Sequence, residues 1–378
     1  MVWCSSPIKR GRASADASLS DWTTWNDEAI RAQLHATPIV VVMGGESMER
    51  EVSMTSGRSI VASLRDLSGN SFDVAPPVTE LEVTADGQWS IDGLALSPQR
   101  AVEALPENAV YLLALHGGAG EDGRVQAFLQ LAGRRHTGAG TATSALCMHK
   151  HHSRLVAADA GIAVAPGAFA TRDSYRLQRD ACLERFRAVE GSTFFVKHAS
   201  AGSSFGVFRC KTDEEVAQAA DEIAESGGDI LVEAEISGLE TTCGVIGNGY
   251  AASALPIVEI VPVGNGFFDH AQKYSSEGGA VETCPPIYLP ARISERIKIR
   301  ARRAWEAFGG EGYARIDFIV PCKTARDGKK VFEDDAEPIL LEANTLPGFT
   351  PRSLLPLAAK ADGATFRELC LEIIARSL

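Results

Sequence analysis

The sequence predicts a mixed α/β and α+β fold. In the first third of the chain, apolar runs at residues 39–43 and 111–115 have the length and composition of buried strands. Each run is followed by glycines and then by residues with helical periodicity, an order that is typical of a Rossmann-like unit. Near the C-terminus, residues 312–320 and 338–344 have strand character and flank the turn signal Asp327-Gly328. This second pattern predicts an antiparallel pair of strands.

Length and composition exclude several classes of protein. The chain has 378 residues, enough for two or three domains, and its formal net charge of -12 would repel nucleic acids and anionic membranes. The 8 cysteines include no Cys-x-x-Cys pair, which predicts reduced thiols and neither a zinc site nor a disulfide framework. No apolar run is long enough to span a bilayer, and residues 1–20 lack the apolar core of a secretory signal. These features predict a cytoplasmic protein that binds neither nucleic acid nor membrane.

The Rossmann-like unit should bring binding residues to the carboxyl ends of its strands, where open α/β sheets bind ligands. After the first strand come Gly44-Gly45 and residues 49–53, at the start of a predicted helix whose free amides would attract an anion. The second strand leads into a glycine-rich loop that contains His116 and Glu121. Both are candidate site residues, and a purely structural role is the alternative for His116.

Two lysines in the middle of the chain are candidates for phosphate binding. Lys150 lies in a predicted helix over residues 142–158, and Lys197 ends a predicted strand before a loop of small residues, 198–207. Successive amides in such a loop can bind an anion, with the lysine as a point charge; a plain hairpin loop is the alternative. The three histidines that flank Lys150 lack the i, i+4 spacing of a helical metal pair, so we do not interpret them as a metal site.

Polar residues predict where later elements begin. Thr212 and Thr365, each followed three residues later by glutamate, predict capping boxes, and Ser294 predicts a helix N-cap. Residues 264–286 are polar and rich in glycine without clear periodicity. They predict a mobile lid that carries the pair Lys273-Tyr274.

The C-terminal strand pair carries a candidate magnesium site. Side chains alternate along a strand, so Arg315 and Asp317 share one face, as do Glu342 and Asn344. If the two faces coincide, Asp317, Glu342 and Asn344 converge as oxygen ligands. A few oxygen ligands on rigid strands suit Mg²⁺, which takes its other ligands from water and phosphates. The alternative is an ordinary hairpin with polar residues on its solvent face.

Several of these segments occur together in one known family. In chain order, the shared motifs are Gly44-Gly45 with residues 49–53, His116-Gly117 with residues 120–123, Lys150, Lys197 with residues 202–204 and Gly206, Lys273-Tyr274, Arg315-Ile316-Asp317, residues 342–345 with Pro347-Gly348, and Ser353-Leu354. In these motifs and their order, the chain from about residue 38 to its end resembles the ATP-grasp ligases, specifically the D-alanine–D-alanine ligase family. The resemblance implies an ATP-grasp fold with an N-terminal Rossmann-like (pre-ATP-grasp) domain.

The resemblance implies a role for each matching residue. The implied catalytic residues are Glu51, Ser203, Tyr274, Arg315 and the Gly348 amide. Substrate binding is implied for Glu51, His116, Ser353 and Leu354. ATP binding is implied for Lys150, Lys197, Ser204, Glu233, Glu240 and Lys273. Two Mg²⁺ ions, with Mn²⁺ as a substitute, would be held by Asp317, Glu342 and Asn344. By similarity, Glu51, Ser203 and Tyr274 would also hydrogen-bond together to latch the lid.

The resemblance further implies an order of domains and a cellular role. It predicts an N-terminal extension over residues 1–36, a Rossmann-like domain over 37–140, a central ATP-grasp subdomain over 141–235, and a C-terminal ATP-grasp subdomain over 236–378 with the magnesium and substrate sites. The implied substrates are ATP and D-alanine, the implied product is a peptidoglycan precursor, and the implied assembly is a homodimer.

Departures from the family pattern keep alternatives open. His149, His198 and Arg352 stand where the family usually has aspartate, proline, and a small residue or histidine, respectively. These departures keep open the alternative that the chain resembles a related ligase that joins another amino-acid pair, such as D-alanine with D-serine or the pair of a secondary-metabolite dipeptide. A non-catalytic nucleotide-binding scaffold is disfavoured by the full set of lysines and acids. A biotin-carboxylase-like enzyme is disfavoured by the D-alanine-site motifs.

Overall fold

The structure is a computed structural model that describes residues 23–25, 27–66, 76–202, 206–262, 280–325 and 329–378. It consists of an N-terminal sheet, a small antiparallel sheet and a large antiparallel sheet, each packed against helices. This architecture agrees with the mixed class predicted from the sequence. Among the helices of the described ranges, none combines the length and the apolarity that a membrane crossing requires.

The N-terminal part is a Rossmann-like sheet with strand order β4-β3-β2-β1-β5-β6. Its elements are α1 (Glu28–Ala36), β1 (Ile39–Gly44), α2 (Arg50–Arg65), β2 (Val78–Val83), β3 (Trp89–Ile91), β4 (Leu94–Leu96), α3 (Pro98–Ala104), β5 (Val110–Leu113), α4 (Arg124–Leu131) and β6 (Arg135–His136). Strand β1 runs parallel to both β2 and β5 and is buried along its whole length, which explains its continuous apolar sequence. A hairpin around Gly87 joins β2 and β3.

The middle of the chain forms the small sheet, with strand order β7-β10-β8-β9 and antiparallel pairing throughout. The elements are α5 (Thr141–Met148), α6 (Lys150–Asp159), β7 (Gly167–Ala170), α7 (Arg172–Leu177), α8 (Arg179–Arg187), β8 (Phe194–His198), β9 (Val207–Cys210), α9 (Asp213–Glu225) and β10 (Ile230–Ala234).

The predicted single helix over residues 142–158 is wrong. His149 has an extended backbone, with φ −90° and ψ 95°, and separates α5 from α6. The Lys150 N–H donates to the Ala199 carbonyl at 2.7 Å instead of continuing a helical ladder. Lys150 therefore begins α6, next to the loop that follows β8.

The C-terminal part forms the large sheet, with strand order β14-β13-β11-β15-β18 and with β12 paired to β11. The elements are β11 (Gly238–Ile246), β12 (Ser253–Ala254), β13 (Val258–Pro262), β14 (Ala280–Thr283), α10 (Ala291–Ala307), β15 (Tyr313–Pro321), β16 (Lys323–Thr324), β17 (Lys330–Val331), β18 (Ile339–Asn344), α11 (Leu354–Ala361) and α12 (Phe366–Ala375). The short pair β16–β17 flanks the predicted turn, whose residues 327 and 328 lie outside the described ranges.

Two of the three predicted helix starts need correction. Helix α10 begins at Ala291, and its N-cap is Pro290, four residues before the predicted N-cap Ser294. The capping box at Thr212 is half formed, because the Glu215 carboxylate accepts from the Lys211 N–H and not from Thr212. The box at Thr365 is complete.

Buried apolar side chains form three cores. The first joins the N-terminal sheet to α11 and α12, so the two ends of the chain share one core. The second lies between the large sheet, α10 and the α5–α6 pair. The third belongs to the small sheet and helices α7–α9. This division leaves a cleft between the small sheet and the rest of the molecule.

Candidate functional site

One cleft of about 930 Å³ is lined by residues of the small and large sheets, of α2 and of the loop that follows β5. Each candidate residue within the described ranges lines it: Glu51, His116, Glu121, Lys150, Lys197, Glu233, Glu240, Arg315, Asp317, Glu342, Asn344, Gly348, Ser353 and Leu354. The other four candidates, Ser203, Ser204, Lys273 and Tyr274, lie outside the described residues, as does most of the predicted lid. The structure therefore brings together residues that are up to about 300 positions apart in the sequence.

The two strands predicted to carry the acidic residues are paired. Strands β15 and β18 run antiparallel, with Asp317 opposite Glu342 and Arg315 opposite Asn344. Side chains directly opposite each other point to the same face of a sheet, so these four groups share the face that lines the cleft. The pairing shifts between Asp317 and Phe318, where the ladder has a bulge. Alternation along the strands was sufficient to predict this cluster.

Asp317 is buried and is held by three donors. The Arg315 guanidinium donates to both of its oxygens at 2.9 Å, and the Asn344 amide donates to Oδ2 at 2.9 Å. The Thr242 hydroxyl, from the neighbouring strand β11, donates to Oδ1 at 2.5 Å. Thr242 was missed because a threonine within a strand carries no motif of its own.

Arg315 retains its charge although its side chain is only 16% exposed. Desolvation alone would lower the pKa of its guanidinium, but the negative charges of Asp317, Glu342 and Glu240 outweigh it and raise the pKa. The site therefore provides a fixed positive charge beside two carboxylates.

Lys150 links the small-residue loop to the acidic face. Its Nζ lies 3.4 Å from Oε2 of Glu342 and donates to the Ala201 carbonyl at 2.7 Å. Its backbone N–H bonds to Ala199 in the same loop. The break at His149 thus places a cation between the loop and a carboxylate.

Lys197 and Glu233 form a buried ion pair across the small sheet. The Lys197 Nζ lies 2.6 Å from one oxygen of Glu233, and the Arg154 Nε lies 2.9 Å from the other. Burial would raise the pKa of Glu233, but the two cations outweigh it and lower the pKa. Arg154 was missed, since an arginine inside a helix pattern is ordinarily a solvated residue.

The Rossmann-like unit contributes Glu51 and His116 to the opposite wall. Glu51 lies in the first turn of α2, and His116 follows β5. The imidazole of His116 is buried, with Nε2 at 3.1 Å from the Ser56 Oγ and Nδ1 at 3.1 Å from the Leu346 carbonyl. Glu121 lies 3.9 Å from Nδ1, and burial raises its pKa more than His116 lowers it.

The turn after β18 completes the cleft. It contains Gly348 and leads to Ser353, the N-cap of α11, and to Leu354, the first residue of that helix. The Ser353 Oγ accepts the Thr350 N–H at 3.0 Å. A Cβ at Gly348 would lie 3.1 Å from that oxygen, so only glycine fits without displacing Ser353.

The histidines that flank Lys150 pack as aromatic rings. His149 stacks on His152 with ring centroids 3.7 Å apart, and His151 stacks on Phe169 at 4.0 Å. Burial and the neighbouring charges lower the pKa of His151 to about 4, so this ring is neutral near pH 7.

Comparisons with known proteins agree on one family. Residues 156–375 match the family model described as D-ala D-ala ligase C-terminus. The D-alanine–D-alanine ligase of Geobacter sulfurreducens is 36% identical over 350 residues, covering 91% of this chain and 95% of the relative. That of Halalkalibacterium halodurans is 34% identical over 345 residues, covering 90% and 99%.

Solved structures give the same result. The VanG D-Ala:D-Ser ligase from Enterococcus faecalis matches with a TM-score of 0.74 and 25% identity, covering 91% of this chain and 100% of that one. The D-alanine-D-alanine ligase from Coxiella burnetii matches with a TM-score of 0.68 and 26% identity, covering 90% and 95%. The architecture described above is therefore the ATP-grasp fold of these ligases.

Proposed function

The chain belongs to the D-alanine–D-alanine ligase family, and on that premise we propose that it joins two D-alanine molecules at the expense of ATP. The carboxylate of the first D-alanine attacks the γ-phosphorus of ATP, which releases ADP and leaves an acyl phosphate. The amine of the second D-alanine then attacks the acyl carbon, and phosphate departs. The product is the dipeptide used in peptidoglycan precursor synthesis.

The observation that carries this proposal is the meeting of Arg315 and Asp317 with Glu342 and Asn344 on one face of the large sheet, opposite Lys150 and Lys197. Phosphoryl transfer requires mainly positioning and neutralisation of charge. A cleft that combines two lysines, an arginine and two carboxylates has the groups for both tasks.

The acidic face fits magnesium by its donor chemistry. Asp317, Glu342 and Asn344 offer carboxylate and amide oxygens, the ligands that Mg²⁺ prefers, and the two carboxylates are cross-strand neighbours. We assign two Mg²⁺ ions to these residues, with Mn²⁺ as a substitute. When bound, the metal would neutralise the charge of the ATP phosphates.

Residues around the acidic face are assigned to binding ATP. Lys150 and Lys197 hold the phosphates, with Ser204 and Lys273 assigned to the same task, and Glu233 keeps Lys197 in place. Glu240 is assigned to the ribose and adenine side.

On the substrate side, Glu51 holds the ammonium group of the first D-alanine near His116, and Ser353 and Leu354 hold the carboxylate of the second. Arg315 and the Gly348 N–H stabilise the oxyanion of the tetrahedral intermediate. Family resemblance alone supports the roles assigned to Ser203 and Tyr274.

Family resemblance also supports a homodimeric, cytoplasmic enzyme of cell-wall synthesis that maintains cell shape. The proposed domain boundary at residue 36 rests on family resemblance, whereas those at residues 140 and 235 are supported by the order of the elements. The Rossmann-like sheet ends at His136 before α5, and the small sheet ends at Ala234 before β11.

Product analysis tests the proposal. With ATP, magnesium and an equal mixture of D-alanine, D-serine and D-lactate, we expect mass spectrometry to detect mainly D-alanyl-D-alanine, with ADP and phosphate in equal amounts. Asp317→Asn should lower the rate by about 10²-fold or more, because it removes a carboxylate ligand of the assigned magnesium and the counter-charge of Arg315. Asp334→Asn is the control: its side chain is 90% exposed and pairs with Arg292 away from the cleft.

Two outcomes would contradict the proposal. A mixed dipeptide or ester as the main product would identify a ligase of another pair. ATP binding without any product would identify a nucleotide-binding protein that keeps the fold.

A further inference from the structure

Two side chains of the Rossmann-like unit hold the turn that carries Gly348 from both sides. The His116 Nδ1 lies 3.1 Å from the Leu346 carbonyl, before the turn, and the Phe349 N–H donates to the Ser56 Oγ at 3.3 Å, after it. His116 and Ser56 are themselves joined, with 3.1 Å between Nε2 and Oγ. Pro347 and Gly348 thus lie between two fixed points of one hydrogen-bonded chain.

The partners fix the direction of the two bonds that hold the turn. A carbonyl oxygen can only accept, so the Nδ1 of His116 carries the proton that it shares with Leu346. The Ser56 oxygen accepts the Phe349 N–H and shares a further hydrogen bond with the His116 Nε2 at 3.1 Å. Ser56 is fully buried and His116 is 5% exposed, so neither has water as a substitute partner. Loss of the Ser56 hydroxyl would leave both Phe349 and His116 without this partner.

The hydrogen bond between Phe349 and Ser56 also determines which N–H group of the turn remains without a partner in the part of the chain that the structure describes. Proline has no N–H, so Gly348 and Phe349 carry the donors of this turn. Ser56 engages the Phe349 N–H. Within the described ranges the Gly348 N–H has no hydrogen-bond partner, and Gly348 lines the cleft.

We propose that Ser56 is a positioning residue, which acts with His116 to fix the Pro347-Gly348 turn so that the Gly348 N–H points at the oxyanion. This inference rests on the proposed function, in which that amide stabilises the tetrahedral intermediate. A donor for a developing charge contributes most when it is held in place before the reaction. Ser56 does not line the cleft, so its effect passes through the turn and His116.

The test compares Ser56→Ala with Ser53→Ala in the full-length chain. Ser53 lies on the same helix three residues earlier, is equally buried, and likewise makes two hydrogen bonds, both with the backbone: it donates to the Ala114 carbonyl at 2.7 Å and accepts the Gly44 N–H at 2.8 Å. These bonds join the ends of β1 and β5 and do not touch the turn. Ser56→Thr is the conservative variant, because it keeps the hydroxyl and adds a methyl group to a packed site.

We expect Ser56→Ala to lower kcat for dipeptide formation by about ten- to a hundredfold, since a small misplacement of a catalytic group has effects of this size. The KM for ATP should change by less than about threefold, because the interaction is made in the transition state. Ser53→Ala and Ser56→Thr should lower the melting temperature while kcat stays within about threefold of the wild type. A merely structural role would instead make activity follow stability in all three variants.

Hydrogen–deuterium exchange tests the same contact without reference to catalysis. Peptides covering residues 345–350 should take up deuterium faster in Ser56→Ala than in Ser53→Ala, because the Phe349 N–H loses its acceptor. Equal uptake in the two variants would overturn the inference, whether or not the chain makes the dipeptide. Faster uptake together with an unchanged kcat would also overturn it. A wild-type protein that makes no D-alanyl-D-alanine would instead refute the proposed function, and the exchange result would still decide whether Ser56 holds the turn.

Discussion

At the scale of single residues, Glu233 is a candidate ATP-binding residue whose carboxylate pairs with cations of the protein itself. Its side chain is 4% exposed, and its two oxygens are paired with Lys197 and Arg154. A buried charge of this kind is stable only when it is paired, and removal of one partner leaves the others uncompensated. Glu233 therefore orients Lys197 toward the cleft, whatever else it contacts when ATP is bound.

Replacement of Glu233 by glutamine should separate this buried pair from an ordinary surface pair. At pH 7 we expect Glu233→Gln to lower the free energy of unfolding by about 3 kcal/mol and to raise the KM for ATP, because two buried cations lose their counter-charge. Glu235→Gln is the matched control: Glu235 lies two residues later, is 28% exposed and pairs with Arg209 at the surface. The control replacement should lower the free energy of unfolding by less than about 1 kcal/mol.

The pH dependence of the same variant has a defined direction. The cations lower the pKa of Glu233 below its ordinary value of 4.5 in the folded chain. A carboxylate with a lowered folded-state pKa stabilises the protein fully above its unfolded pKa, and this contribution is lost as the pH falls below it. Urea unfolding should therefore show a constant difference between wild type and Glu233→Gln near neutral pH, shrinking below about pH 4.5. A difference that grows in acid would contradict the assigned ion pair.

At the scale of elements, the sequence predicted strands more reliably than helix starts. Alternation and turn residues were enough to pair Asp317 with Glu342, since both signals are local. The break at His149 depends on a hydrogen bond from Lys150 to Ala199, a partner some fifty residues away, so no local pattern could reveal it. Ser56, Arg154 and Thr242 were missed for the same reason: their importance lies in contacts and not in motifs.

A buried carboxylate of α12 binds the N-terminal segment, which also packs against the first core. Glu372 is fully buried and accepts the N–H groups of Thr24 at 2.6 Å and Trp25 at 3.3 Å, while Arg376 pairs with it at 2.7 Å. Trp25 is itself 5% exposed, and the guanidinium of Arg31 lies 5.6 Å from its ring centroid. The segment from residue 23 through α1 therefore behaves as part of the first core.

We expect Glu372→Gln to release this segment without affecting the cleft. The neutral side chain leaves Arg376 without its counter-charge and weakens the bonds to Thr24 and Trp25, at a cost of about 2–3 kcal/mol. Limited proteolysis by trypsin should cleave faster at Arg31, while the KM for ATP stays within about twofold of the wild type. Glu368→Gln, in the exposed capping box of the same helix, is the control and should leave the rate at Arg31 unchanged. Equal cleavage in both variants would show that other contacts hold the segment.

At the scale of the whole molecule, the three cores determine how the parts can move. The small sheet and its helices enclose a core of their own, whereas the first core runs from the N-terminal sheet to α11 and α12. Contacts between the small sheet and the remainder include the Arg154–Glu233 pair and the stacking of His151 on Phe169. These contacts are fewer than a continuous core would provide. The cleft lies along the same boundary, between the small sheet and the remainder of the molecule. The small sheet is therefore the part that we expect to unfold first.

Calorimetry of two matched phenylalanine variants should resolve these units. Phe186 is 2% exposed in the core of the small sheet, and Phe308 is 3% exposed in the core behind the large sheet. Replacement of either phenylalanine by alanine should lower the free energy of unfolding by about 3–5 kcal/mol, because each replacement leaves a cavity. Without nucleotide we expect two transitions: Phe186→Ala should lower the temperature of the first only, and Phe308→Ala that of the second only.

An ATP analogue with magnesium should raise the temperature of the first transition toward that of the second. A ligand held by Lys197 on one side and by Lys150 and Glu342 on the other binds only when both units are folded. A single transition that both variants lower equally would mean that the cleft separates no independent parts.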